Sequence, residues 1–208
     1  MTDYFKSFPD NIENIGISLS GGTDSALILY KLVQMIIERD QIGLVHIYPI
    51  HGYDTAITQT YSWEAAEAIV EYMNRPDIIK PIHVFAYEKG KAKFSKEHYW
   101  KANHEYMMRR YNIPFIIRGV TQGMPDDSRP LKEGDADSER LHHIAKTTWI
   151  LPFGSVDKKY IAEQYKKLQL EDLYKLTVSC ISDSPYPCKK CWWCKEKHWA
   201  FGSYDQYK

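Results

Sequence analysis

Two groups of residues in this chain have the types and spacing to do chemistry. The first is Ser20-Gly-Gly-Thr-Asp-Ser25, which lies between a β-prone run, Ile15, Ile17 and Leu19, and a strongly apolar stretch from Ala26 to Ile37. That order reads as strand, tight turn, helix. With no side chains at Gly21 and Gly22, backbone N–H groups can approach an anion closely. Ser20, Thr23 and Ser25 add hydroxyl donors at the positive end of the helix dipole, so the turn suits a phosphate. Asp24 would repel that phosphate unless it caps the helix or holds a magnesium ion bridging to the phosphate oxygens. The turn is neither a Walker A loop, since no Gly-Lys-Ser/Thr follows at the required spacing, nor a GxGxxG dinucleotide turn.

The second group comprises Cys180, Cys188, Cys191 and Cys194, which are all the cysteines of the chain. Cys188-Lys-Lys-Cys-Trp-Trp-Cys194 contains two overlapping CxxC turns, which point thiolates inward at the bite that a tetrahedral zinc ion requires. Cys180 can close the fourth position across the Pro185/Pro187 loop. A pair of disulfides is the competing arrangement, and it needs an oxidising compartment, whereas Met1-Thr-Asp-Tyr-Phe5 does not begin as a secretory leader does. Four sulfur ligands leave a metal no open position, so zinc here would hold the segment 177–201 rather than catalyse.

The elements that must position these groups read as an α/β chain. After the phosphate turn and its helix, Gly43–Ile50 is a second strand, buried on both faces as parallel strands usually are, which completes a βαβ unit. His51–Asp54 is expected as a loop at its carboxyl end. Tyr61–Met73 carries Ala65, Ala66, Ile69, Val70 and Met73 at helical spacing, and Asn74-Arg-Pro76 stops it. Ile82–Ala86 is a third strand, a helix starts at about His98 and carries Trp100, His104, Met107 and Met108, and Pro114–Val120 is a fourth strand. The stretch from Thr121 to Asp137, rich in Gly, Pro and Asp, is a long loop. Ser138–Thr147 is expected to be helical and Trp149–Phe153 extended, and Asp157 caps a helix with Ile161, Tyr165 and Leu168 on one face. The expectation is a doubly wound, mostly parallel sheet forming one domain over 1–208. Ligands then sit at the carboxyl ends of strands, where His51–Asp54 and Thr121–Arg129 fall.

Length and charge narrow the function classes. A chain of 208 residues and 24.4 kDa suits one sizeable α/β domain. Its 27 basic and 27 acidic residues cancel, so nothing global attracts it to nucleic acid or an anionic membrane, although a local basic patch leaves RNA open. No apolar run approaches the length of a membrane span, and a cytoplasmic protein acting on small molecules is expected.

Ser20–Ser25 resembles the SGGxDS signature of the PP-loop ATP pyrophosphatases, which split ATP into AMP and pyrophosphate. Together with Thr177-Val-Ser-Cys180 and the following CxxCxxC it resembles the 7-cyano-7-deazaguanine synthase family, the nitrile-forming enzymes of the queuosine precursor pathway. Gly119-Val-Thr121 and Arg129-Pro130 are similar to that family's loop after the fourth strand, and Phe153–Ile161 with Lys158 to its PL…KxxI helix start. The likeness is thin between Tyr53 and Tyr111. Lys189 stands where the family usually has glycine, and Gly123–Pro130 is shorter than the family's substrate loop.

The resemblance implies an adenine nucleotide alpha hydrolase-like fold, with ATP held by Leu19, Ser20, Gly21, Gly22, Thr23, Asp24, Ser25 and Gly119. It implies Mg2+ on Asp24, catalytic roles for Asp24, Ser25, Lys158 and Arg129, and Zn2+ on the four cysteines. The substrates it implies are a small carboxylic acid of the 7-carboxy-7-deazaguanine type and ammonia. An acceptor base in tRNA or DNA, a protein acceptor and a nucleotide-binding partner subunit stay open. Each residue has a plainer alternative: Lys158 sits beside Lys159 where a solvated lysine is common, Arg129 suits a surface salt bridge, and His51, Asp54, Asp126 and Asp127 suit loop turns. Lys189, Lys190, Lys195 and Lys197 read as a solvated basic face, and Trp192 and Trp193 as packing around zinc or at a homodimer contact.

Overall fold

Alternating β-branched strands and one helix apolar nearly all round dictate a helix sandwiched close to a sheet. In the computed structural model, which describes residues 5, 8–54, 61–87, 96–124, 143–144, 147–182, 184 and 186–205, that arrangement is a six-stranded sheet. In chain order the elements are β1 (Asn14–Ser18), α1 (Thr23–Glu38), β2 (His46–Asp54), α2 (Tyr61–Met73), β3 (His83–Tyr87) and α3 (Lys96–Arg110). They continue with β4 (Ile116–Arg118), β5 (His143–Ile144), β6 (Thr147–Ile150), α4 (Lys158–Lys167), α5 (Glu171–Lys175) and α6 (Trp192–Phe201).

The sheet order is β3-β2-β1-β4-β6-β5, and every pairing is parallel except β5 with β6. The chain builds outward from β1 to β2 and β3, then returns to add β4 and β6 on the other side. The order therefore reverses between β1 and β4, and the carboxyl ends of these strands are where sheets of this kind place their ligand.

Two cores follow from the period of the strands. Ile15, Ile17, Ile47 and Ile117 face Leu27, Ile28, Leu32 and Ile36 of α1, with Ile69 of α2 and Ile161 of α4 in the same cluster. The alternate positions Ile50, Phe85, Ile116 and Trp149 form a second cluster with Met107 of α3. Neighbouring residues of β4, Ile116 and Ile117, are both fully buried but in different cores, as the alternation of a strand requires.

The structure corrects the sequence reading at two places and adds a helix at a third. His51–Asp54 is the end of β2 rather than a loop, paired with Val84–Tyr87 of β3. Its turn-like glycine has a packing cause: a methyl group at Gly52 would lie 2.4 Å from Cζ of Phe85. His143–Ile144 and Thr147–Ile150 are an antiparallel strand pair, not the helix expected across Ser138–Thr147. The β-branched Ile144, Thr147, Thr148 and Ile150 fit a pleated edge better than a helix. Finally, Trp192–Phe201 is helical, so the last CxxC turn is also the start of α6, with Cys191 as its N-cap. Asn74 ends α2 as expected, taking a left-handed φ of 45°.

Candidate functional site

The residues after β1 form a tightly cross-linked turn. Leu19 N–H donates to Ile50 O at 2.9 Å, which carries the sheet register into the loop. Ser20 N–H donates to Ser25 Oγ at 3.2 Å, the two hydroxyls meet at 3.1 Å, and Ser25 Oγ also donates to Gly22 O at 3.1 Å. Gly21 adopts φ 80°, the left-handed region, and a methyl group there would lie 2.4 Å from Ser62 O at the start of α2. This position accepts glycine for both reasons. Gly22 is the N-cap of α1 and provides no side-chain acceptor, so the first turn of this buried helix keeps its donors for another partner.

Gly119 directly follows β4. A methyl group there would lie 2.8 Å from Cβ of Asp24 and 2.8 Å from the backbone nitrogen of Ser25. The loop after β4 thus lies against the first turn of α1, which brings Gly119 to the residues with which the sequence grouped it. Arg129, Asp126 and Asp127 lie outside the described residues, and so does nearly all of the long loop expected from Thr121 to Asp137.

Lys158 reaches this turn from 134 residues away. Asp157 caps α4 by accepting from Tyr160 N–H at 3.1 Å, which starts the helix with Lys158 pointing inward. Its Nζ lies 2.7 Å from Asp24 Oδ2 and 3.6 Å from Glu196 Oε2 of α6. The solvated-lysine alternative is therefore corrected: Lys158 is only 6% exposed. Burial by itself would discharge this ammonium, but the Asp24 and Glu196 carboxylates outweigh it and hold the lysine above its ordinary range. Tyr165, about two turns further along α4, donates its hydroxyl to Thr23 O at 2.9 Å.

His51 is a buried strand residue rather than a loop histidine. Its Nδ1 lies 2.8 Å from Leu19 O, and because a carbonyl only accepts, Nδ1 carries the proton. Burial keeps the ring neutral by lowering its pKa, and Nε2 has no hydrogen-bond partner among the described residues.

The four cysteine sulfurs lie within 4.8 Å of one another, and none is in a disulfide. They form a cluster able to bind a metal. Backbone N–H groups of Cys188, Cys191 and Cys194 each point at the preceding sulfur, at 3.3 Å to Cys180, 3.3 Å to Cys188 and 3.4 Å to Cys191. Donors so placed favour the thiolate form that a metal needs at Cys180 and Cys188, whereas at Cys191 and Cys194 burial dominates and raises the thiols. Burial pushes the Cys180 thiol up, but the donors from Cys188 and Ser182 overcome it and bring it to about 6. Lys189 adopts φ 57°, a conformation natural to glycine, which gives a backbone reason for the glycine of the resembled family at this position.

The segment carrying the cysteines is fastened to the phosphate turn. Val178 N–H donates to Gly21 O at 2.9 Å. Lys197, expected on a solvated basic face, is instead 1% exposed: its Nζ donates to Thr177 O and Thr177 Oγ1, each at 2.9 Å, and pairs with Asp205. Asp205 also accepts from Ser179 N–H at 2.9 Å and Cys180 N–H at 2.7 Å. Glu196, Lys197 and Asp205 were missed in the sequence. The available signal was that Cys194 and Lys197 stand three apart on one face of a helix, visible only once α6 is recognised. Lys189, Lys190 and Lys195 are exposed, as is Trp193. A groove of about 400 Å³ lined by Lys159, Tyr165, Lys166, Tyr174 and Phe201 lies beside α4 and includes no residue of the phosphate turn.

No family model matches this chain, and no curated protein matches it. Among solved structures it is similar to the U34-tRNA thiolase of Methanococcus maripaludis with its [4Fe-4S] cluster, at 14% identity and a TM-score of 0.50 over 78% of this chain and 59% of that one. It is also similar to an NH3-dependent NAD synthetase of Campylobacter jejuni, at 16% identity and a TM-score of 0.44 over 82% of this chain and 71% of that one. A Candida glabrata FMN adenylyltransferase gives 13% identity and a TM-score of 0.48 over 87% of this chain and 58% of that one. The chain thus spans less than two thirds of the thiolase's length. At this identity the likeness to the thiolase shows the fold alone, a parallel sheet flanked by helices. Among the described residues, no helix is long and apolar enough to cross a membrane.

Proposed function

We propose that the chain is an ATP-dependent ligase of the 7-cyano-7-deazaguanine synthase type, acting on a small carboxylic acid and ammonia. The observation that carries this reading is the Ser20–Ser25 turn. It opens an uncapped buried helix at the point where the sheet order reverses, with Asp24 and Lys158 2.7 Å apart at its rim. A carboxylate resists amines because its oxygen is a poor leaving group, and adenylation removes that obstacle. The acid's oxygen bonds to the α-phosphorus as the bond to pyrophosphate breaks. Ammonia then adds to the acyl carbon and AMP departs, giving an amide. A second ATP can adenylate the amide oxygen, and loss of AMP with two protons gives a nitrile.

The chain's share of this chemistry is placement and charge. Backbone N–H groups in the first turn of α1 would cradle the departing pyrophosphate, and Lys158 would offset its growing negative charge. Asp24 is the carboxylate suited to Mg2+, which supplies charge neutralisation at the phosphates when bound. Arg129 is assigned a similar role from the resemblance alone. Zinc is favoured for the cysteines: a tetrahedral zinc with Zn–S bonds of ~2.3 Å needs sulfurs roughly 3.8 Å apart, and Cys188 and Cys194 sulfurs stand 4.0 Å apart. A cubane iron–sulfur cluster spreads its thiolates further, because each binds a different iron on the outside of the cube. The exposed aromatics Tyr186 and Trp193 support a homodimer.

The test is mass spectrometry of a reaction containing ATP, Mg2+, ammonium and 7-carboxy-7-deazaguanine. AMP, pyrophosphate and an amide or nitrile in step support the proposal. AMP with the acid untouched moves the acceptor to another molecule, a tRNA or DNA base or a protein. No nucleotide consumed, with zinc bound and the fold intact, refutes it.

A further inference from the structure

Lys158 holds one oxygen of the carboxylate that a divalent cation would share, and the other, Oδ1, meets Thr23 Oγ1 at 3.5 Å. Asp24 Oδ2 accepts from Lys158 Nζ at 2.7 Å, and the two side chains are 13% and 8% exposed. A cation arriving at that carboxylate would meet the ammonium across the same group, and two positive charges so close repel strongly where water is scarce. A carboxylate shared with a divalent cation holds the ammonium less strongly, so Lys158 loses part of the charge of Asp24 as the cation enters. A lysine so buried keeps its charge only if another anion remains beside it.

Glu196 is that anion. Its Oε2 lies 3.6 Å from Lys158 Nζ, and its side chain is 5% exposed. Its place is set from both sides along α6, by Cys194 at the cysteine cluster and by Lys197, which is pinned to Thr177 and Asp205. The same C-terminal segment holds the phosphate turn through Val178 N–H and Gly21 O. The loop, the lysine and its second carboxylate therefore share one support.

We infer that Glu196 is a positioning residue that takes over the charge of Lys158 when Asp24 turns to a divalent cation, so that cation and nucleotide bind together rather than against the lysine. This rests on the reading of Ser20–Ser25 as an ATP site. On this account the C-terminal segment, which would otherwise only stabilise the fold, sets how well magnesium and nucleotide bind as a pair.

The experiment measures the affinity of full-length protein for α,β-methylene ATP by calorimetry, with and without Mg2+, and takes the ratio of the two dissociation constants. Glu196→Gln should lower the benefit of Mg2+ by about tenfold, because it removes one negative charge next to the lysine while keeping the side chain's shape. Glu196→Asp, which keeps the charge, should restore most of that benefit. In a Lys158→Gln background the second change Glu196→Gln should alter the ratio by less than about twofold, since the interaction no longer exists. That double variant removes both charges of the Lys158–Glu196 pair and leaves Asp24, the most exposed member of the trio, for the cation, and so provides a measurement should Glu196→Gln alone fail to fold. A purely structural role would weaken binding equally with and without Mg2+, and an unchanged ratio in Glu196→Gln overturns the inference while leaving the ATP reading in place. Wild-type protein that binds no nucleotide under either condition overturns the ATP reading and this inference with it.

Discussion

Replacing Gly119 by alanine should displace the Ser20–Ser25 turn while leaving every hydroxyl, ammonium and carboxylate of the site in the sequence. The added methyl would stand 2.8 Å from Asp24 Cβ and from Ser25 N, and 2.9 Å from Asp24 C, all of them atoms fixed to the backbone of α1. Ordinary contact begins at 3.4 Å, so the first turn of α1 must retreat by about 0.6 Å. That turn is held by the Ser20–Ser25 hydroxyl pair and by Tyr165 on Thr23 O, so it cannot retreat freely. Overpacking of this kind costs about 1–3 kcal/mol, which for a chain of this size lowers Tm by roughly 3–10 °C. Because the displaced N–H groups are those aimed at phosphate, affinity for α,β-methylene ATP should fall by about tenfold or more. Gly43→Ala is the control: its φ of 79° makes alanine strained, but a methyl there meets nothing within 4 Å. It should lower stability by about 1 kcal/mol and leave nucleotide affinity alone. Calorimetry reads both quantities. Gly119→Ala binding the analogue with wild-type affinity, or Gly43→Ala weakening it as much, would refute the reasoning.

Two other outcomes follow from the same geometry. Purified protein should contain about one zinc per chain, and its removal by a chelator should lower Tm and raise hydrogen exchange from Thr177 to Asp205 while β1 and β2 stay protected; release of metal with unchanged exchange would show that the cysteines do not support the segment. His104 supplies a pH dependence. Its Nδ1 accepts from Trp149 Nε1–H at 3.1 Å, and burial, reinforced by the Arg118 charge, lowers its pKa to about 3. An unfolded histidine titrates near 6.5, so between these values the unfolded chain binds more protons and stability falls as pH falls. The stability this group contributes is complete above about pH 6.5, and about 2 kcal/mol of it should be gone at pH 5. Urea unfolding of wild type and His104→Gln at both pH values measures this; identical pH dependence in the two proteins would show that His104 is not the group responsible.

Much of the site was legible because its signals are local. The Ser20–Ser25 turn depends on neighbours: glycine at a left-handed φ, hydroxyls within hydrogen-bond reach of one another, and an apolar helix following at once. The cysteine quartet was legible for the same reason, since a CxxC turn fixes the separation of its sulfurs whatever surrounds it. The helix expected at Ser138–Thr147 failed where tertiary pairing overrode a weak periodic signal, as β6 lies beside β4 and captures Thr147–Ile150 into the sheet. His51–Asp54 failed because glycine at 52 signals a turn in sequence, whereas Phe85, distant in sequence, is what requires it.

The sequence by itself determined the Ser20–Ser25 turn, the cysteine cluster and most of the order of strands and helices that bears them, because each rests on the conformational limits of a few consecutive residues. It could not determine which charged side chains are buried. Lys158, Glu196 and Lys197 stand in runs that look solvated, and a lysine's hydration is lost only where the fold supplies a carboxylate. Those carboxylates come from Asp24, 134 residues before Lys158, and from Asp205, beyond the end of α6. Only the tertiary structure decides such pairings, because the desolvation of one charge is offset by another whose position depends on every element between them.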